Sequence, residues 1–320
     1  MLAVTTVVGA CGANSGATAT AAKTKFTVVT ADQPMADLVR SVAGPSVKVA
    51  SVVPEGVNGH TYEPRPQDAR TLSDADVYIE NGLNANNVSV AFAMANYPAG
   101  TPHFQLSEEI PPEDIIPIDT AAEIAAHGHA HRYNAHFWPD PNYAIAYVKR
   151  IAMILASVDT KGERDYADRA MAYVAKLEKL DAAFRATIET IPAQNRKLVV
   201  YHDSWSYFGR RYGLPVIGAI QPTDFSEPSA AELRSTIDQV RAAKVPAFFG
   251  SEVFPSDVLA VIEKESGAKY VADLSDDRLP GAAGSPQHGY IGMMVANTRS
   301  IVSALGGNPA GLDAVDPTKS

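Results

Sequence analysis

Two periods of hydrophobic and polar positions take turns along most of the chain. Lys25-Phe-Thr-Val-Val-Thr30 is apolar and β-branched and predicts a short strand. Met35, Leu38 and Val39 then recur at helical spacing and predict a helix from Gln33 to Val42. Gly44-Pro45 turns the chain into a second strand, Val47 to Val53, which Pro54 and Gly56 stop. Strand, helix and strand in so short a stretch make a βαβ unit. The cadence returns later: Lys197 to Tyr201 as a strand, Ser204 to Tyr212 as a helix stopped by Gly213, and Leu214 to Ile220 as a strand closed by Pro222. Between the two lies Lys161 to Ile188, with Met171, Val174, Leu177, Leu180, Phe184 and Ile188 three or four apart and charged residues elsewhere. That pattern predicts one amphipathic helix about 40 Å long, ended by Pro192.

These elements predict an α/β fold of two pseudo-symmetric βα lobes, with parallel-type central sheets, joined by one long spine helix. The expected boundaries are an N-terminal lobe over 26–160, the spine over 161–190, a C-terminal lobe over 191–308 and a loose tail over 309–320. Composition agrees with two packed domains, since 320 residues are 46% hydrophobic and 20% charged. Lys and Arg number 27 against 36 Asp and Glu, a net charge of -9, which repels nucleic acid and anionic membrane surfaces. No apolar run reaches the roughly 18 to 20 residues of a spanning helix.

The chain holds one cysteine, so an internal disulfide and a thiolate metal site are both excluded. It is Cys11, at the end of an apolar stretch, in Val8-Gly9-Ala10-Cys11. That run is similar to a bacterial lipobox, and residues 12–25, rich in Gly, Ala, Ser and Thr, follow it as a flexible tether. The expectation is a signal remnant over 1–11 and an exported protein, lipid-anchored through Cys11 on the outer face of the cytoplasmic membrane. No Lys or Arg precedes the apolar run, so a full signal would begin further upstream.

Histidines supply the candidate chemistry. His60 follows the strand ending near Val53, and His202 follows the strand ending at Tyr201; open α/β sheets bind ligands at such C-terminal strand ends. His136 lies in Asn134-Ala-His-Phe-Trp-Pro-Asp-Pro141. Imidazole suits Zn²⁺, and without a usable cysteine a fourth ligand must be a carboxylate or another histidine. His127, His129 and His131 alternate with small residues and predict a loop of weak metal affinity. His103 and His288 have no such context and are assigned to the surface or to packing.

His60-x-Tyr-Glu-Pro-x-Pro-x-Asp68, Asn134-x-His-x-Trp-x-Asp-Pro141 and Tyr201-His-Asp-Ser-Trp-Ser-Tyr-Phe208 resemble the metal-binding proteins of bacterial ABC importers for zinc and manganese, the cluster A-I solute-binding proteins. Glu227-Pro-Ser229 and Tyr290-Ile-Gly-Met-Met294 with Asn297 are similar to the same family, and the likeness runs from about Phe26 to Leu305. The resemblance implies His60, His136, His202 and Asp277 as metal ligands. Asp277 takes the acidic place in Leu274-Ser-Asp-Asp277-Arg-Leu279; the counts favour it over Asp273, and Asp276 is its immediate neighbour. Glu252 is a candidate acceptor around the site. The His127–His131 run resembles a short version of the His-rich loops of zinc-specific members, which implies metal capture and transfer to the cleft.

The function expected is the binding subunit of a zinc importer, a monomer that captures Zn²⁺ between the lobes and presents it to a membrane ABC permease, with a metallochaperone as a further partner. Manganese is the alternative metal; His202 favours zinc, because relatives thought to carry manganese tend to replace that histidine by Glu. A metalloenzyme and a surface adhesin are the other classes. A four-ligand site leaves no open position for water, and no His-Glu-x-x-His run, Gly-x-Ser-x-Gly elbow or phosphate-binding Gly loop is present, so no enzymatic activity is expected.

Overall fold

In the computed structural model, residues 25–59, 61–83, 88–118, 132–221, 229–250 and 257–318 are described. Cys11, His60, His127, His129, His131, Glu227 and Glu252 lie outside them. The expected βαβ unit forms as β1 (Thr27–Thr30), α1 (Gln33–Ala43) and β2 (Lys48–Ser51). Asp32 starts α1 by accepting the Met35 N–H at 3.0 Å, with Pro34 in the first turn, where its missing N–H costs nothing. At the other end Gly44 has φ 69°, and a Cβ there would fall 2.5 Å from Arg169 Nε. That guanidinium donates to the last carbonyls of α1, Val42 O at 3.1 Å and Ala43 O at 3.3 Å, as a cation favourably placed at a helix C-terminus.

The first lobe continues with α2 (Pro66–Ser73), β3 (Val77–Glu80), α3 (Val88–Asn96) and β4 (His103–Gln105). Two long helices follow, α4 (Pro141–Val158) and the spine α5 (Glu163–Ile188). The second lobe holds β5 (Leu198–His202), α6 (Ser206–Tyr212), β6 (Val216–Gln221), α7 (Ala230–Ala243), β7 (Ala247–Phe249), α8 (Asp257–Ser266), β8 (Lys269–Val271) and α9 (Tyr290–Ala304). Both sheets are four-stranded and parallel, ordered β2-β1-β3-β4 and β6-β5-β7-β8, so the lobes repeat one topology. Alternation along each strand divides the core. Val28 and Val200 face a continuous central cluster with Leu38, Phe137, Tyr147 and Leu177, whereas Val29 and Val199 face separate outer clusters. None of the described helices is long and apolar enough to cross a membrane.

The spine keeps the expected stripe at Leu177, Leu180, Phe184 and Ile188 and departs from it at the start. Its buried stripe is Tyr166, Ala170, Tyr173, Leu177, Leu180, Phe184 and Ile188, while Met171 is 66% exposed. Tyrosines carry the start of the stripe: Tyr166 buries its ring and donates its hydroxyl to Asp159 at 2.6 Å. The spine also lies alongside α4 over much of its length rather than standing alone. The segment expected to be a loose tail is partly tied down. Leu312 is buried in the central cluster, and spine Lys176 donates to Thr318 O at 3.0 Å.

Candidate metal centre

His202 is the last residue of β5, and its imidazole emerges at the C-terminal edge of the second sheet. The strand ladder fixes its backbone against β6, with His202 opposite Gln221. Asp203, the next residue, is half-buried; burial raises its carboxyl above the usual carboxylate range, and hydrogen bonds from Ser206 at 2.7 and 2.8 Å act against that rise.

His136 comes from the irregular segment between the first sheet and α4. Asp140 caps α4 by accepting the Asn142 N–H at 2.8 Å, and Pro141 occupies the first turn, so the segment ends sharply. Upstream, Pro117 and Tyr133 form an antiparallel bridge, with Ile118 N donating to Arg132 O at 3.0 Å and Asn134 N to Ile116 O at 2.8 Å. The sequence carrying His127, His129 and His131 therefore leaves and rejoins the described chain at this neck, close to His136.

The two imidazoles meet across the lobes. His136 Nε2 and His202 Nε2 are 3.2 Å apart, with ring planes at 76°. Asp276 Oδ2 is 3.8 Å from His136 Nε2, and among the described residues His136, His202 and Asp276 form a group whose donor atoms all lie within 4.8 Å of one another. Nitrogen ligands on one zinc ion at about 2.0–2.1 Å stand about 3.0–3.4 Å apart, so the imidazole pair already has the spacing of two donors to one cation. Carboxylate and rings are half-buried to buried, so a cation held here would be poorly screened by water.

The resemblance assigns the acidic ligand to Asp277, and its carboxylate meets the chain directly before His60. Asp277 accepts the backbone N–H of Gly59 at 2.5 Å and the Asn58 amide at 3.3 Å, so it faces the loop that leads to His60. Asp276 and Asp277 are adjacent in a bend, and counting along the chain does not say which way each carboxylate leaves it. Asp273 is not in the His136–His202 group among the described residues; it lines a 440 Å³ cavity with Arg278 and Asn297. His103 Nε2 donates to buried Glu80 at 2.9 Å. His288 is buried, with Nδ1 3.1 Å from Pro280 O. The Tyr and Asp of the first motif hold each other: Tyr62 donates to Asp68 at 2.6 Å, and Asp68 also accepts the Arg65 N–H at 2.6 Å.

Several residues around the centre were not singled out by the sequence. Trp138 Nε1 donates to Asp276 O at 2.5 Å, and Tyr290 Oη donates to Trp138 O at 2.6 Å. Tyr290 N in turn donates to buried Asp37 at 2.7 Å, so α9, α1 and the His136 segment are joined. Tyr207 Oη accepts from Ile116 N at 2.9 Å and donates to Asn134 O at 2.7 Å. Asn134 itself reaches across to Asp203 O at 2.8 Å. Behind them Arg211 makes a bidentate pair with spine Asp181, both contacts 2.7 Å, and stands 3.3 Å from Asp140. Burial acts to raise Asp181, but its bonds from Arg211 and Tyr212 outweigh that and hold the carboxyl low. Asp140 goes the other way, pushed up to about 6 by burial. Trp138 and Asn134 stand in the same short motif as His136, Tyr207 in that of His202 and Tyr290 at the head of the Tyr290–Met294 run, and those motifs are the sequence signal that points to them.

A model of the family "Zinc-uptake complex component A periplasmic" matches residues 28–304. The chain belongs to this family, the substrate-binding subunits of metal ABC importers. Like the rest of that zinc-uptake family it is a binding protein, not an enzyme. It is similar to the iron ABC transporter substrate-binding lipoprotein MtsA of Streptococcus pyogenes serotype M1, 29% identical over 91% of this chain and 93% of that one. It is also similar to the manganese-binding lipoprotein MntA of Halalkalibacterium halodurans, 26% identical over 95% of this chain and 96% of that one. Among solved structures, the periplasmic zinc binding protein TroA from Treponema pallidum has a TM-score of 0.76 at 27% identity, covering 88% of this chain and 99% of that one.

Proposed function

We propose that the protein captures Zn²⁺ between its two lobes and delivers it to a membrane ABC permease, anchored to the membrane through Cys11. The observation that carries this reading is the 3.2 Å approach of His136 Nε2 to His202 Nε2, one from each side of the cleft, with Asp276 beside them. A pair of imidazoles offers the borderline-soft nitrogen donors that zinc takes readily. His60 is proposed as the third imidazole. Of the two acids, Asp276 stands on the His136 and His202 side, and Asp277 faces the chain next to His60. Manganese is the second reading, favoured by those neighbouring carboxylates, because it prefers more oxygen in its sphere. The His127–His131 run, which falls in the sequence between Ile118 and Arg132, is proposed to capture the metal before the cleft takes it.

Metal is added to chelated protein in competition with a chromophoric chelator, comparing Zn²⁺ and Mn²⁺ over a range of pH. The proposal expects one ion per chain, zinc bound more tightly, and affinity falling as pH drops through about 6.5, where the rings become protonated. Tighter manganese binding would reverse the choice of cargo. Unchanged stoichiometry in the double variant His136→Ala and His202→Ala would sink the site altogether.

A further inference from the structure

We infer that Asn134 is the positioning residue of the metal centre: its one amide fixes the His136 tautomer that leaves Nε2 free for a cation, and ties down the backbone beside His202. The inference rests on His136 and His202 being donors to the cargo.

Asn134 is buried, and each end of its amide meets groups whose roles are fixed. Oδ1 accepts the backbone N–H of His136 at 2.9 Å, and a backbone N–H can only donate. Nδ2 lies 2.8 Å from Asp203 O, and a carbonyl can only accept. Exchanging oxygen and nitrogen would set donor against donor and acceptor against acceptor, so the amide has one orientation. His136 Nδ1 stands 3.1 Å from that same Oδ1. Facing an acceptor, Nδ1 carries the proton in the neutral ring, and Nε2 presents its lone pair toward His202 Nε2 at 3.2 Å. The tautomer follows from two groups that cannot titrate.

The other half of the amide works on the opposite lobe. Asp203 directly follows His202, the last residue of β5, so the bond to Asp203 O holds the backbone one residue from the second donor. The main chain of Asn134 is fixed too: its N–H donates to Ile116 O at 2.8 Å, and its carbonyl accepts from Tyr207 Oη at 2.7 Å. A residue held at four points cannot follow its ligand; the ligand follows it. Partners of this kind set ring orientation and donor strength in metal sites, and removing one costs about 10–100-fold in affinity.

The test uses the whole chain, metal-free, with ¹⁵N-labelled imidazoles. Long-range ¹⁵N–¹H correlation reads the His136 tautomer, and chelator competition reads zinc affinity on the same samples. In the native protein His136 is expected as the Nδ1–H form. Asn134→Ala removes the acceptor, so the tautomers mix and zinc affinity drops about 10–100-fold. Asn134→Asp keeps an acceptor toward His136 and loses the donor toward Asp203, so the Nδ1–H form persists. A native His136 protonated on Nε2, or an Nδ1–H form that survives in Asn134→Ala, overturns the inference; the first needs no variant to fold. Full zinc affinity in His136→Ala would instead overturn the metal reading, while the metal-free spectra still decide what Asn134 does to the ring.

Discussion

The two histidines that meet in the cleft are held in place by different means. His202 ends a strand whose neighbours Val199 and Val200 are buried on opposite faces, so hydrogen-bonded pairing and packing position it together. His136 sits in irregular chain and is positioned by single polar contacts, from Asn134, from Trp138 through Asp276, and from Tyr207 on the other lobe. A strand end is robust because many small terms hold it, and losing one contact costs little. A ligand held by individual hydrogen bonds depends on each, and here most of the contacts come from the opposite lobe. Assembly of the candidate metal centre is therefore coupled to docking of the lobes on the spine, on the His136 side more than on the His202 side.

Packing and coordination should separate under mutation. Leu177 is fully buried on the spine between the lobes, and Leu177→Ala is expected to cost about 2–5 kcal/mol of stability while the folded fraction keeps its metal affinity, measured by denaturant melts and chelator competition. A large loss of affinity in the folded fraction would mean that the spine tunes the site directly. His136→Ala and His202→Ala should each lower zinc affinity by at least about 100-fold, beyond the loss usual for a supporting contact, while buried His288→Ala leaves it unchanged. Equal effects at all three would undo the distinction between donors and packing histidines. Trp138→Phe keeps a ring but leaves Asp276 O without its indole donor, at a cost of about 1–3 kcal/mol. The comparison predicts that this loss appears in metal affinity as well as in stability; a purely thermal effect would show that Asp276 holds its place unaided.

The smallest effect concerns Asp140, behind the His136 segment. Burial raises its carboxyl to about 6 from 3.8, so between those values the folded protein keeps a proton that the unfolded chain has lost. Stability therefore falls as pH rises from about 4 to about 6, and the full penalty is present above that. Asn at this position still accepts the Asn142 N–H but does not titrate, so Asp140→Asn is expected to flatten that part of the profile in melts from pH 4 to 7.5. Parallel profiles would show that Asp140 is ionised throughout, held by Arg211.

The same contrast decides what could be read from sequence. β1, α1, β2, β5, α6 and β6 follow from apolar periodicity and from Pro and Gly stops, because burial on one or two faces leaves a repeat in the chain. α4 is harder to see, since apolar residues occur nearly all round Pro141–Val158, although the Asp140-Pro141 start is a recognisable cap. The spine and the later part of its buried stripe were legible, but the start of the stripe was not, because Tyr166 and Tyr173 bury their rings without counting as aliphatic positions. His136 and His202 stand out by residue type in short motifs, and the structure brings them together. Asp276 and Asp277 could not be ranked, since a spacing rule fixes a position along the chain and not the side from which a carboxylate leaves it. Cross-lobe bonds such as Asn134 to Asp203 join residues 69 apart and leave no local pattern at all.

In the proposed site, imidazoles from both lobes share one cation. X-ray absorption at the metal edge on zinc-reloaded protein tests it most directly, because scattering from imidazole rings can be counted. One zinc per chain is expected, with at least two imidazoles and carboxylate oxygen, and the signal of one imidazole is lost in His136→Ala and again in His202→Ala. A zinc whose imidazole count is the same in both variants as in the native protein would contradict it.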